Sequence, residues 1–332
     1  MRILIGYDGS ESADAMLDDL WCAGIPRDAE VLVLTVADLL MSAPTVKEAA
    51  TGVVASGRVA TAMKRAETHA DRVTAEAEGF ASAAAETLRS AYPEWEIESR
   101  ISTGNPAQEL VETAEEWGAD LIVVGSQGRS AISKILLGSV SKSVAGDAKL
   151  SVRVARPTVR RKPEAPPRII IGVDGSAAAE AAVLEVGSRV WPGGTHVHLV
   201  AAYDQPSPAG IASILPKAAE MIEAQIQHQA GRADAMIQWA TYQLRSIGMV
   251  VSVSIQKGDA KRILLKEANK WNADSIFVGT REFKNALERF RLGSVSAAVV
   301  NNAPCSVEIV RERDGEEGSQ SVTSNWRVPE LN

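Results

Sequence analysis

The sequence states almost everything twice, and that repetition limits what the chain can fold into more than any single motif. RILIGYDGS at 2–10 returns as RIIIGVDGS at 168–176, and EVLVLTVAD at 30–38 returns as HVHLVAAYD at 196–204. STGNPAQELVETAEEWGADLIVVGS at 102–126 returns as QKGDAKRILLKEANKWNADSIFVGT at 256–280. LGSVSKSV is followed later by LGSVSAAV, and SVRVAR by SVEIVR. Five matched segments in one order describe a tandem duplication. The 332 residues accommodate two copies of about 150 residues each. We read residues 1–156 as one domain, 157–167 as a linker rich in Pro and charge, 168–311 as the second domain, and 312–332 as a polar, disordered tail.

Within each copy, short β-branched apolar runs alternate with longer helical patterns. In the first copy the runs lie near 2–6, 31–36, 96–101, 120–124 and 151–155. VLVLTV and LIVV are continuously apolar, as strands covered on both faces are, which predicts parallel pairing. Leu110, Val111, Ala114 and Trp117 keep a helical stripe between two of these runs. Helices linking parallel strands give right-handed crossovers, so each copy is predicted to be an α/β doubly wound sheet. Residues 38–58 and 204–217 read as long loops before a helix, the first a candidate lid.

Several classes fall away on composition. The net charge is -7 and the one basic cluster is Arg160, Arg161 and Lys162, so no nucleic-acid partner is expected. No apolar run reaches the roughly 18 residues of a membrane span, and MRILIGYDGS lacks the h-region of a signal peptide. A cytoplasmic location without membrane association is therefore expected. Cys22 and Cys305 are far apart and read as small apolar packing groups.

The stretch VVGSQGRSAISKILLGSV at 123–140 carries the functional signal. In an open α/β sheet, ligands bind beyond the C-terminal ends of the strands, where strand order reverses. If the first and fourth strands are neighbours, Asp8 and Gly125 line that crevice. Glycine there permits positive φ and close approach of the backbone to a ligand. The amides of Gly138, Ser139 and Val140 open a helix, whose N-terminus favours phosphate. Ser139 could add its hydroxyl to a phosphate or to a bound Mg²⁺. A nucleotide fits, its phosphates among the glycines and its nucleoside towards Asp8.

The spacing Gly125-x2-Gly128-x9-Gly138-Ser139, with Asp8 in an IGYDGS context, resembles the ATP-binding signature of the universal stress protein family. That resemblance spans both copies. It implies a five-stranded parallel sheet of order 3-2-1-4-5 in each. It also implies an adenine-nucleotide site, with Asp8 at the adenosine end, Val36 offering backbone bonds to adenine, and Gly6, Tyr7, Val124 and Arg129 counted among the binding residues. Gly125, Gly128, Gly138, Ser139 and Val140 would then hold ribose and phosphates. The last strand pairs domains in many members, which implies an intrachain pseudo-dimer here. The implied ligand is ATP with Mg²⁺; an unknown protein partner and a homodimer are open.

The second copy keeps Asp174, Gly279, Gly293 and Ser294, but Glu282 stands where Gly128 does, and Ala202 replaces Val36. A carboxylate repels a triphosphate, so one good site and one weakened or lost site are expected. Plainer readings compete. Asp8 followed by Gly-Ser could form an Asx turn with Ser10 as a cap, and Arg129 could be a solvated loop charge. His196 and His198 share a strand face, yet no third metal ligand stands at useful spacing. No general base or nucleophile pair accompanies the loop, so slow ATP hydrolysis or autophosphorylation is the most expected of it. The resulting expectation is an ATP-binding regulatory protein of the stress response. The rivals are an ATP-dependent transferase or ligase whose second domain holds an acceptor, and a ligand-free structural protein.

Overall fold

The computed structural model describes residues 1–38, 56–128, 137–157, 165–203, 216–280 and 292–311, with the backbone alone at 56–63 and 216–230. Of the candidate lid at 38–58, residues 39–55 lie outside the described residues and 56–58 already belong to a helix; Arg129, Glu282 and the tail from 312 also lie outside them. The first copy runs β1 (Arg2–Gly6), α1 (Glu11–Asp19), a 3-10 turn (Leu20–Cys22), β2 (Glu30–Ala37), α2 (Ser56–Ala91), β3 (Glu96–Thr103), α3 (Pro106–Trp117), β4 (Leu121–Gly125), α4 (Ser139–Asp147) and β5 (Ser151–Ala155). The second runs β6 (Arg168–Val173), α5 (Ala177–Ser188), β7 (His196–Tyr203), α6 (Pro216–Ser246), β8 (Val250–Lys257), α7 (Ala260–Trp271), β9 (Ser275–Gly279), α8 (Ser294–Asn302) and β10 (Ser306–Val310).

The chain forms two compact units, one of residues 1–18 and 26–148, the other of 19–25 and 149–332. The units and the sequence repeat thus do not share a boundary: β5 ends the first copy but belongs to the second unit. In the first unit β3, β2, β1 and β4 lie in that order, all parallel. Ile3, Leu4 and Ile5 of β1 and Leu32 and Val33 of β2 are fully buried, as strands covered by helices on both faces must be. β3, at the edge, is largely exposed. The second unit has the order β5-β10-β9-β6-β7-β8. Its last five strands are parallel and realise the expected 3-2-1-4-5 order, read from β8 to β10. The core there gathers Ile169, Ile171, Leu199, Trp239, Leu244 and Phe277.

Local chemistry repeats with the sequence. Asn105 accepts from the amides of Ala107 and Gln108 at the start of α3, with Pro106 in the first turn, and Gly118 ends the helix at φ 69°. Asp259 caps α7 in the same way, and Asn272 takes the left-handed position at φ 49°. Asparagine is one of the few side chains that tolerates it.

β5 pairs antiparallel with β10, so that Arg153 stands opposite Glu308. These two occupy equivalent places in SVRVAR and SVEIVR, and neither side chain is exposed. Arg153 donates from Nε (3.0 Å) and Nη2 (2.8 Å) to Asp19 Oδ2, and from Nη1 to Glu308 Oε2 at 3.5 Å. Arg189 also donates to both Glu308 oxygens, and to Glu185. The carboxylates hold the guanidinium of Arg153 firmly charged, its affinity for the proton raised despite the desolvation.

Cys22 is drawn into this cluster rather than packing as a plain apolar group. Its Sγ lies 3.2 Å from Arg153 Nη2 and 3.1 Å from the Asp19 carbonyl. Burial first, and Asp19 second, push its thiol well up. Burial pushes Cys305 up to about 12.

Replacing Arg153 with Met leaves Asp19 and Glu308 buried without that cation. The expected loss is about 3–5 kcal/mol, read by urea unfolding of the full chain. A loss below about 1 kcal/mol would show that the register of β5 does not depend on the pair.

Candidate functional site

The first unit brings the turn after β1 against the turn after β4. Gly6 lets α3 lie close, because a Cβ there would meet Leu110 Cδ2 at 2.8 Å and Val124 Cγ1 at 3.3 Å. Val124 is buried beside it in register. The Tyr7 amide continues the strand to the Leu34 carbonyl at 3.0 Å. Its phenol donates to Asp14 Oδ1 at 2.5 Å; burial and that carboxylate raise its pKa well above the usual value. Val36, near the end of β2, is half-buried. Asp8 does form the Asx turn, accepting from the Ser10 amide at 3.1 Å, while Ser10 Oγ caps Ala13.

Serines fasten the second turn. Gln127 N–H donates to Ser12 Oγ at 3.2 Å, and Ser141 Oγ donates to the Gly125 carbonyl at 2.5 Å. The Gly138 amide donates to the Ser126 carbonyl at 2.8 Å. α4 then begins at Ser139, and no side chain caps its first turn, since Gly138 holds the cap position. Ser139 is exposed and Val140 half-buried. Sequence reasoning missed Ser12 and Ser141. The recurrence of Ser141 as Ser296, whose Oγ donates to the Gly279 carbonyl at 3.2 Å, is a signal that could have found it.

The two turns meet at Gly128. A Cβ on that residue would stand 3.1 Å from Asp8 Oδ2, and one on Gly138 would stand 3.5 Å from Gln127 Cα. Asp8, Gly128 and the start of α4 therefore share one end of the sheet. One expectation is corrected. Gly125, Gly128 and Gly138 do not take positive φ; in this region the left-handed glycines are Gly9 (φ 72°) and its counterpart Gly175 (φ 75°). Gly9 is required twice over, since a Cβ would strike the Phe80 ring at 2.5 Å. At Gly125 the demand is for room, with Ser12 carbonyl and Oγ each 3.1 Å from a Cβ. At Gly138 (φ -63°) a Cβ would make ordinary contacts, so the fold itself does not require glycine there.

The second unit keeps the same construction. Asp174 accepts from the Ser176 amide at 3.0 Å and Ser176 Oγ caps Ala179. Gly172, Asp174, Ala202, Gly279, Gly293 and Ser294 line a cavity of about 370 Å³. His196 and His198 gain no third ligand: among the described residues no three His, Cys, Asp or Glu side chains gather to hold a metal.

These contacts separate two glycines of the second loop. A Cβ on Gly279 would overlap the Ala178 carbonyl, whereas Gly293 has open space at φ -57°. Gly279→Ala is expected to lower the melting temperature by several degrees and Gly293→Ala to leave it unchanged, measured calorimetrically.

Comparison with known proteins agrees with this architecture. The sequence profile of the universal stress protein family matches residues 1–156 and again 167–311. A universal stress protein of Mycolicibacterium smegmatis is 28% identical over 217 residues, covering 65% of this chain and 69% of that protein. Universal stress protein Rv2005c of Mycobacterium tuberculosis is 28% identical over 230 residues, with the same coverages. Among solved structures, a universal stress protein from Archaeoglobus fulgidus superposes over 93% of this chain and 98% of its own, with a TM-score of 0.61 at 21% identity. At that identity the likeness speaks for the fold alone. With both of its copies matched, the chain belongs to the universal stress protein family.

Proposed function

We propose that the first copy binds an adenine nucleotide, ATP, and that occupancy sets a conformational state read by another protein. The observation that carries this reading is the meeting of Asp8 with Gly128 beside the uncapped start of α4. Nucleoside hydroxyls suit the carboxylate, and phosphates suit backbone amides at a helix N-terminus. Gly138, a glycine the fold does not require, supports the same reading: a ligand approaching the backbone is what a Cβ there would obstruct.

The residues present are compatible with Mg²⁺ carried by the phosphates. Ser139 offers a hydroxyl and Asp8 a carboxylate, and Mg²⁺ is commonly held by few protein oxygens plus phosphate oxygens. Within this reading the chain's residues bind and orient; the regulatory output follows only if ATP prefers one of two states. The second cavity is the weaker site, because Ala202 replaces Val36 and Glu282 replaces Gly128.

Calorimetric titration with Mg-ATP tests the assignment. We expect one nucleotide per chain in the wild type and no binding heat in Gly128→Glu, whose carboxylate would crowd Asp8. Circular dichroism of the variant should match the parent. Unchanged affinity in the variant would falsify the site, and two nucleotides per chain would show that the second cavity binds equally well.

A further inference from the structure

The second copy contains a polar set that its twin lacks. β7 and β8 are parallel, with His198 in register with Ser252, so both side chains face α7. His198 Nδ1 lies 2.7 Å from Ser252 Oγ, and Nε2 lies 3.3 Å from Glu267 Oε2 on that helix. Gln256 Nε2 donates to the other Glu267 oxygen at 2.9 Å. The Trp271 ring lies 5.1 Å from the imidazole and helps to fix its plane. His198 and Glu267 are buried, 8% and 5% exposed, whereas Ser252 is exposed. At the equivalent places the first copy has Leu32, Glu98 and Thr113. Three long-range partners have changed together.

We infer that Ser252, His198 and Glu267 form a nucleophile, base and orienting carboxylate that hydrolyse small carboxylic esters at the exposed edge of the second unit. A carboxylate only accepts hydrogen bonds, so Nε2 carries the ring hydrogen towards Glu267. Nδ1 then presents its lone pair to the Ser252 hydroxyl. This is the division of labour of a serine hydrolase, recognised by geometry and not by order in the chain. Gln256, Lys270 and His198 hold Glu267 below the usual carboxylate range despite its burial, so it remains an acceptor at neutral pH.

Chemistry follows from the arrangement. Ser252 Oγ bonds to the ester carbonyl carbon as its proton passes to His198 Nδ1. The C–O bond to the leaving group breaks, and the alcohol departs with that proton. Water then attacks the acyl-serine, giving its proton to His198, which returns it to Ser252 as the carboxylic acid leaves. The balance is ester plus water to acid plus alcohol. Val250, exposed at 49% and two residues from Ser252 on the same strand face, offers an apolar rest for a small acyl or aryl group. The site opens to solvent on the edge strand, which favours small, activated esters. None of this rests on the nucleotide reading.

The test uses the full chain with p-nitrophenyl acetate as substrate and a fluorophosphonate as covalent probe. Wild type is expected to hydrolyse the ester about a hundredfold faster than Ser252→Ala and to carry the phosphonate on Ser252, located by peptide mass spectrometry. Glu267→Gln, which spares the nucleophile, is expected to lower kcat about tenfold with KM retained. Equal hydrolysis by wild type and Ser252→Ala, or wild type unlabelled at Ser252, overturns the proposal. The labelling experiment needs no variant, so it decides the matter even if a substitution disturbs folding.

Discussion

The buried pairing of Arg153 with Glu308 is the constraint on which the second unit depends. Antiparallel strands of the same apolar pattern could slide by two residues and still bury their faces. Charge removes that freedom. Only one register sets Arg153 against Glu308, and Asp19 and Arg189 complete the neutralisation. Burying such ions is costly unless each is paired and hydrogen-bonded. The sequence places opposite charges at equivalent positions of the two copies, so neither last strand would fit a duplicate of itself as well as it fits the other.

The turn after β4 depends on room rather than on charge. Glycines that were expected to supply unusual backbone angles instead supply room, against Ser12 at Gly125 and against Asp8 at Gly128. The unusual angles sit at Gly9 and Gly175, in the turns that aim Asp8 and Asp174. The Asx turn and the proposed ligand role of Asp8 are therefore compatible. One oxygen holds the turn, and the other stands beside Gly128.

Much of the fold was legible because duplication doubles the signal. The apolar runs predicted the parallel strands, and the capped helices α3 and α7 carry their start and stop residues openly, as Asn105 with Pro106 and Gly118 show. What was hidden involved partners far apart in the chain. No local pattern announces that Arg153 meets Asp19, 134 residues away, or that Cys22 lies against a guanidinium. His198 was noticed for its alternation with His196, a local feature suggesting metal. Its actual partners, Ser252 and Glu267, come from another strand and a helix. The glycine spacing of the loop was readable, but the reason for each glycine was not, since that lies in what approaches it.

The assignment of β5 to the second unit has a consequence in time. Arg153 leaves the ribosome 155 residues ahead of Glu308, an interval of about ten to thirty seconds at ordinary elongation rates. Throughout it, Arg153 has Asp19 but not Glu308 to pair with, and the strand that ends the first copy lacks its antiparallel mate. Maturation is thus ordered by translation. The earlier half is held incomplete until the later half arrives, and a nascent chain released too soon presents chaperones with an open strand edge.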